Sequence, residues 1–436
     1  MSSTAPTGYL ELRLPRGLLD PRLGGAGFCA DADGLVPLCI GFEAGQIAAI
    51  APLSAQAVAA AKLPLALTPL VEPHAHLDKA FSGAAFPNRE GTMAAALAAN
   101  QIEYGERSTE QVAERAERAL ERTWRNGVRA IRSHIDSVGV GAEPSWEGLL
   151  AARQRWRGRL ELQLVALAPM AHWLTAEGKS LARRVAAGQG LLGGVIGPPY
   201  GQGAARRRAD REALLALLDL AERHGCGVDL HVDEADSCPG VGVAMVAQLA
   251  LEQRRAVAIT CSHASSMALL PQGNCDRLAD RLAAANIAVV ALPTTNFWLL
   301  GRRPGRTPWR RPLAPIRSLQ QAGVRLAIGG DNVQDPWYPG GDFDPIELLR
   351  WSAPLCQLMP WQRLGLAPFS TAASAVLELA WDGVVRLGAP ADLVLLGAGS
   401  WGELLARPPQ RRVLRQGVWL PPPEAELPSP LLPPHG

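Results

Sequence analysis

Residues 65–78 read Leu-Ala-Leu-Thr-Pro-Leu-Val-Glu-Pro-His-Ala-His-Leu-Asp. Leu65–Val71 is an apolar run of strand-like composition, and His74-Ala75-His76 follows it. Side chains alternate faces along a strand, so His74 and His76 point the same way. Two imidazoles on one face, at the C-terminal mouth of a barrel strand, can chelate one divalent metal. The same pair also reads as two ordinary polar residues at a strand end.

The pattern recurs downstream. Further strand candidates are Ala130–His134, Leu160–Leu167, Leu191–Ile196, Gly227–His231, Ala256–Ser262, Ile287–Leu292 and Arg325–Gly329. Amphipathic helical stretches lie between most of them. In the clearest, Arg211–Arg223, Leu recurs at helical spacing and the pattern stops at His224-Gly225, a C-cap signal. Near-continuously apolar strands alternating with helices mean a parallel sheet. Eight such units predict an α/β fold, a (β/α)8 TIM barrel over residues 65–382. Residues 1–64 and 383–420 instead carry short apolar segments separated by Gly, Pro and Asp turns. They predict a small β-sandwich domain formed from both termini. Residues 421–436 form a Pro-rich tail, expected to be extended or disordered.

The chain's 436 residues are 48% hydrophobic and 19% charged, with a formal net charge of +2. This composition supports a large core and excludes an intrinsically disordered chain. The small net charge argues against a dedicated nucleic-acid binder. No apolar run approaches the ~20 residues of a membrane helix. Met1–Glu11 shows no secretory pattern. The seven Cys contain no CxxC pair, so free thiols and a cytoplasmic setting are expected.

The polar residues at strand ends sharpen the reading. There are eight His. His134 ends strand two, His231 ends strand five, His263 follows strand six, and Asp331 follows strand eight. Random placement would not set them so regularly on one barrel face. These motifs, in this order, resemble the amidohydrolase superfamily, and locally its cytosine deaminase branch. The matching stretches are 71–78, Arg132-Ser-His-Ile-Asp136, His231-Val-Asp-Glu234, Ser262-His-Ala-Ser-Ser-Met267, Gly330-Asp331-Asn332 and Asp335-Pro-Trp-Tyr-Pro339. Gly388–Leu395 resembles the superfamily's return into the β-sandwich. Together the resemblance runs from about Leu65 to Leu396.

The resemblance implies that His74, His76, His231 and Asp331 ligate one divalent metal ion, Zn(II) or Fe(II), with Mn(II) also compatible. It implies a metal-bound hydroxide attacking the amidine carbon of a nitrogen heterocycle, with release of ammonia. Glu234 matches the proton shuttle. His263 matches the residue that orients the hydroxide and stabilises the adduct. Asp331 also matches an acceptor of the water's second proton. Asp233 is a less favoured alternative to Glu234. Binuclear members carry a Lys after strand four; Leu191–Tyr200 has none, which favours a single ion.

The chain departs from the branch around the substrate. The base-reading glutamine becomes Met170, the second acid after the metal Asp becomes Asn332, and the segment Gly194–Tyr200 lacks a His. A Met cannot offer the paired hydrogen bonds of an amide, so cytosine is not the expected main substrate. Met170, Asn332, Trp337 and Lys79 are the candidate substrate contacts. Lys79 reads equally as the partner of a carboxylate. The loop 301–312 holds five Arg and reads as a solvated surface or an anion-binding lid. The expected partner is a small heterocyclic substrate such as a pyrimidine, a triazine or a related cyclic amidine. A homo-oligomer is compatible with the resemblance. The alternative enzyme cleaves another C–N bond, in an N-alkylamino triazine or a cyclic amide. The remote alternative is a catalytically silent small-molecule-binding barrel.

Overall fold

The computed structural model describes residues 7–25, 27–60, 62–200, 204–303 and 305–421. Residues 422–436, most of the Pro-rich tail, lie outside the described residues.

Eight parallel strands form one sheet, each hydrogen-bonded to the next in chain order. They are Leu70–Ala75, Val128–Asp136, Glu161–Pro169, Leu191–Ile196, Val228–Val232, Ile259–His263, Ala288–Ala291 and Leu326–Ile328. The last four are buried at every residue, as strands walled on both faces must be. The sheet rolls shut where the bridge Ala75–Asp331 joins the first and eighth strands. Helices pack outside. Thr109–Arg125 buries Val112, Ala116, Ala119, Leu120 and Thr123 at helical spacing, and a reciprocal Ser108–Gln111 capping box starts it, satisfying two orphan N–H groups. The helix expected over Arg211–Arg223 spans Ala204–His224, and Gly225 follows at φ 65°.

The first strand candidate, Leu65–Val71, is corrected. Its front, Leu65–Leu67, belongs to the other sheet, and the barrel strand begins at Leu70. Thr68 and Pro69 separate the two, and Pro69 lacks the N–H needed to continue a ladder. His74 therefore lies inside the strand rather than after it. The other sheet is mixed and seven-stranded, drawn from both ends of the chain. Leu65–Leu67 pairs in parallel with Gly8–Pro15 and antiparallel with Leu393–Leu396. Gly383–Leu387, one of the short apolar segments of residues 383–420, forms no ladder and contributes the isolated bridge Leu19–Val385.

The barrel interior is polar near its centre, where apolar layers are usual. Arg132, His134, Asp229, Ser262 and His74 are all buried there.

Candidate metal centre

Parallel pairing sets the inner face. His231 lies beside Ser262 in register, and Val195 beside His231. Strand one is irregular between Glu72 and Ala75, a bulge that contains Pro73, and it aims both His74 and His76 at Asp331. His74 Nε2 and His76 Nε2 stand 3.5 and 3.3 Å from Asp331 Oδ1. His231 Nε2 faces His76 Nε2 at 3.3 Å. Donor atoms of three overlapping sets lie within 4.8 Å of one another: His74, His76 and Asp331; His74, His231 and His263; Glu234, His263 and Asp331. Asp331 and His263 sit at φ 65° and 69°.

These atoms fit a divalent ion. His74 Nε2, His263 Nε2 and both Asp331 carboxylate oxygens are buried without a hydrogen-bond partner among the described residues. Leaving such atoms unpaired is costly, and two imidazole nitrogens at 3.3 Å repel unless a proton or a cation lies between them. Burial, then the neighbouring imidazoles of His134 and others, pushes His74 and His231 far below the usual His range. Burial would raise Asp331, but His76 and His263 outweigh it and keep the carboxylate ionised. Neutral imidazoles and a carboxylate are the protonation states a metal requires.

A buried chain of hydrogen bonds holds His74. Its Nδ1 lies 2.9 Å from Ser262 Oγ. Ser262 Oγ donates to Asp229 Oδ1 at 2.9 Å, and Arg132 Nη1 donates to Asp229 Oδ2 at 2.8 Å. Ser262 has one proton and gives it to Asp229, so it accepts from Nδ1–H. That assignment leaves the lone pair of His74 on Nε2, toward Asp331. Ligating histidines commonly use their second nitrogen this way. His134 stacks on His74, with ring centroids 3.9 Å apart.

Glu234 is partly buried. Its Oε1 lies 3.7 Å from His263 Nδ1 and 3.5 Å from Asn296 Nδ2. Burial first, and then Asp331, pushes its carboxyl well above the usual range. Asn296 Nδ2 also stands 3.0 Å from His263 Nδ1. With the amide donating, the ring proton sits on Nε2, the atom that faces the cluster unpaired. Burial pushes His263 down to about 4, so it is a neutral donor at pH 7. Asp233 is otherwise engaged: its carboxylate accepts from the N–H groups of Gly242 and Val243, at 3.1 and 2.9 Å, and from Tyr200 Oη. It caps a helix, which leaves Glu234 as the free carboxylate.

The candidate substrate contacts are more scattered. Met170 opens a short helical turn after strand three and is only partly buried. Lys79 is buried, with Nζ 2.8 Å from Asp136 Oδ2, so the carboxylate-partner alternative describes its contact. Asn332 Nδ2 donates to Asp335 Oδ2 at 2.7 Å, and Asp335 Oδ1 accepts from the N–H groups of Trp337 and Tyr338. Asn332 therefore shapes the loop that carries Trp337. In the Arg-rich loop, Arg303 pairs with Asp236 at 2.9 Å, and Arg302 and Arg311 lie over Trp298 and Phe297.

Sequence reasoning assigned no role to Asn296, Asp229 or Glu72. The signal for the last two was a lone acid inside an otherwise apolar barrel strand.

The sequence pattern of the Amidohydrolase family matches residues 87–420. The chain is 32% identical to a pterin deaminase of Rhizobium rhizogenes over 348 residues, 79% of this chain and 78% of that protein. It is 24% identical to an N-isopropylammelide isopropyl amidohydrolase of Pseudomonas sp. over 338 residues, 76% of this chain and 79% of that protein. The structure of 5-methylcytosine deaminase from Klebsiella pneumoniae liganded with 5-fluorocytosine superposes with a TM-score of 0.79 at 26% identity, covering 96% of this chain and 98% of that one. With the barrel, the inward His/Asp cluster and these matches in agreement, the chain belongs to the amidohydrolase family.

Proposed function

We propose that this protein is a metal-dependent hydrolase that deaminates an amino-substituted nitrogen heterocycle. The observation that carries the reading is the convergence of His74, His76, His231 and Asp331 beside Glu234 and His263. The first four would hold a single divalent ion, Zn(II) or Fe(II), which when bound lowers the pKa of a water molecule and so makes it nucleophilic at neutral pH.

The chain's own residues divide the remaining work. Glu234 accepts one proton of the attacking water and passes it to the ring nitrogen, and the oxygen's second proton, accepted by Asp331, goes to the leaving amine. Burial, by pushing the Glu234 carboxyl up, makes it a better holder of that proton than an ordinary carboxylate. His263, neutral and kept by Asn296 with its proton on Nε2, donates to the oxygen that develops charge at the attacked carbon. Ser262, Asp229 and Arg132 hold His74 in the tautomer that presents Nε2.

The substrate class follows from Met170 and Asn332, which depart from a cytosine-reading pocket. A pocket that lacks an amide partner gives up the strong discrimination such a group provides. The pterin deaminase relative, at 32% identity, supports an aminopyrimidine ring fused to a second ring, and pterin heads the compounds to test.

The test is ammonia release by the metal-analysed protein against pterin, cytosine, 5-methylcytosine, isocytosine and amino-triazines, with Glu234→Gln as control. Ammonia from one compound, lost in the control, supports the reading. Alkylamine release from N-isopropylammelide in its place would favour the second reading, cleavage of another C–N bond, which the Pseudomonas relative supports. A protein that binds metal but turns over none of these compounds would refute both.

A further inference from the structure

We infer that Glu72 is a positioning residue: its carboxylate clamps the barrel's seam and sets the spacing between His74 and Asp331. The inference rests on the metal centre proposed above and concerns residues that do not touch the ion.

Seven of the eight neighbouring strand pairs are laddered. The first and eighth strands are not; among the described residues the sheet's ends meet in backbone pairing only through the Ala75–Asp331 bridge and the bond from Asp331 N to His74 O, 2.9 Å. Strand one is also irregular around Pro73 in its pairing with strand two. On the side of the eighth strand no ladder supplies acceptors for His74 N and Gly330 N. The Glu72 carboxylate replaces the missing acceptors. Its Oε1 accepts from His74 N at 3.0 Å and from Gly330 N at 3.1 Å, and its Oε2 accepts from Gly330 N at 3.0 Å. One side chain thus ties the residue that begins the HxH pair to the residue preceding Asp331.

The opposite strand makes room for it. A Cβ at Gly329 would stand 2.7 Å from Glu72 Oε1 and 3.2 Å from His74 Cβ, and one at Gly330 would stand 3.1 Å from Glu72 Oε2. Neither glycine carries a positive φ. Backbone conformation therefore does not call for glycine at these positions, whereas the space occupied by the carboxylate does. The metal ligands lie directly beyond the clamp, on a seam that has little else to fix its width.

The experiment compares wild type, Glu72→Ala, Glu72→Gln and Gly329→Ala, each stripped of metal and titrated with Co(II). Readouts are the visible absorption of the bound ion, its dissociation constant by chelator competition, and the melting temperature of the metal-free protein. In Glu72→Ala the affinity falls by about tenfold to a hundredfold, as for other groups that orient metal ligands, and the absorption bands shift. Gly329→Ala does the same by displacing the carboxylate, although no ligand or carboxylate is removed. Glu72→Gln loses less than Glu72→Ala, because a carbonyl oxygen at Oε1 can still accept both N–H groups, although its NH2 replaces the oxygen 3.0 Å from Gly330 N. If Glu72→Ala does not fold, the Gly329→Ala and Glu72→Gln pair still decides. Variants that melt lower yet bind Co(II) with wild-type affinity and spectrum would overturn the inference and leave Glu72 as simple packing. Wild type that binds no Co(II) would instead overturn the metal centre itself.

Discussion

Replacing Ser262 with alanine removes one hydroxyl and strands two buried groups. Ser262 Oγ lies 2.9 Å from both His74 Nδ1 and Asp229 Oδ1, and all three residues are fully buried. Each buried polar group left unpaired costs about 1–3 kcal/mol. Asp229 retains Arg132 at 2.8 Å, which places the combined loss of folding stability at about 2–4 kcal/mol. The tautomer suffers as well. Without the serine acceptor, nothing holds the His74 proton on Nδ1, and the ring is free to carry it on Nε2, where the metal lone pair belongs. Metal affinity therefore falls by about tenfold to a hundredfold. Chelator competition measures the affinity, and urea unfolding of the metal-free protein measures the stability. Unchanged affinity together with the expected loss of stability would refute the tautomer argument, because the hydroxyl would then be satisfying buried groups without orienting a ligand.

Other expectations follow from the same geometry. Glu234→Gln lowers kcat by about 10²–10⁴-fold while leaving metal content and melting temperature unchanged; loss of metal would show that the carboxylate is a ligand. Arg132→Met leaves Asp229 buried without its cation and costs about 3–5 kcal/mol; adding Asp229→Asn recovers part of the loss in denaturant titrations, and strictly additive losses would contradict the pairing. Burial pushes Asp335 up to about 6 from 3.8. Between those values the native state holds a proton that the unfolded chain has released, so stability falls as pH rises from about 4 to about 6. The change is about 3 kcal/mol at ~1.4 per unit. In Asp335→Asn this component of the pH dependence disappears, and an identical pH profile of unfolding in wild type and variant would contradict it.

The barrel was legible because parallel strands buried on both faces must be apolar throughout, and His and Asp stand out at their ends. The metal candidates were legible for the same reason. What the sequence obscured was pairing. Leu65–Val71 is a single apolar run, and nothing in its composition shows that Leu65–Leu67 joins one sheet and Leu70–Ala75 another. The chain of Ser262, Asp229 and Arg132 joins residues up to 130 positions apart. Local spacing cannot reveal it; only closing the barrel brings these strands together. Asn296 lies in a helix, Pro293–Leu299, where an amide reads as an ordinary helical polar residue. Lys79 kept two readings until its neighbour Asp136 was located.

The seven-stranded sheet also has a bearing on how the chain is made. Leu65–Leu67 sits between Gly8–Pro15, which precedes it on the ribosome, and Leu393–Leu396, which arrives more than 300 residues later. Throughout synthesis of the barrel, the growing chain carries an apolar strand edge with no neighbour, and such edges recruit other chains. Leu393–Leu396 closes it on emerging. The strand that follows it, Arg411–Arg415, sets Arg415 Nη2 on the carbonyls of Trp124 and Val128, at 3.2 and 2.7 Å, which fastens the foot of the second barrel strand. The two segments thus act as a latch that shuts only once Leu393–Leu396 has been made, and products truncated before Leu393 keep the open edge.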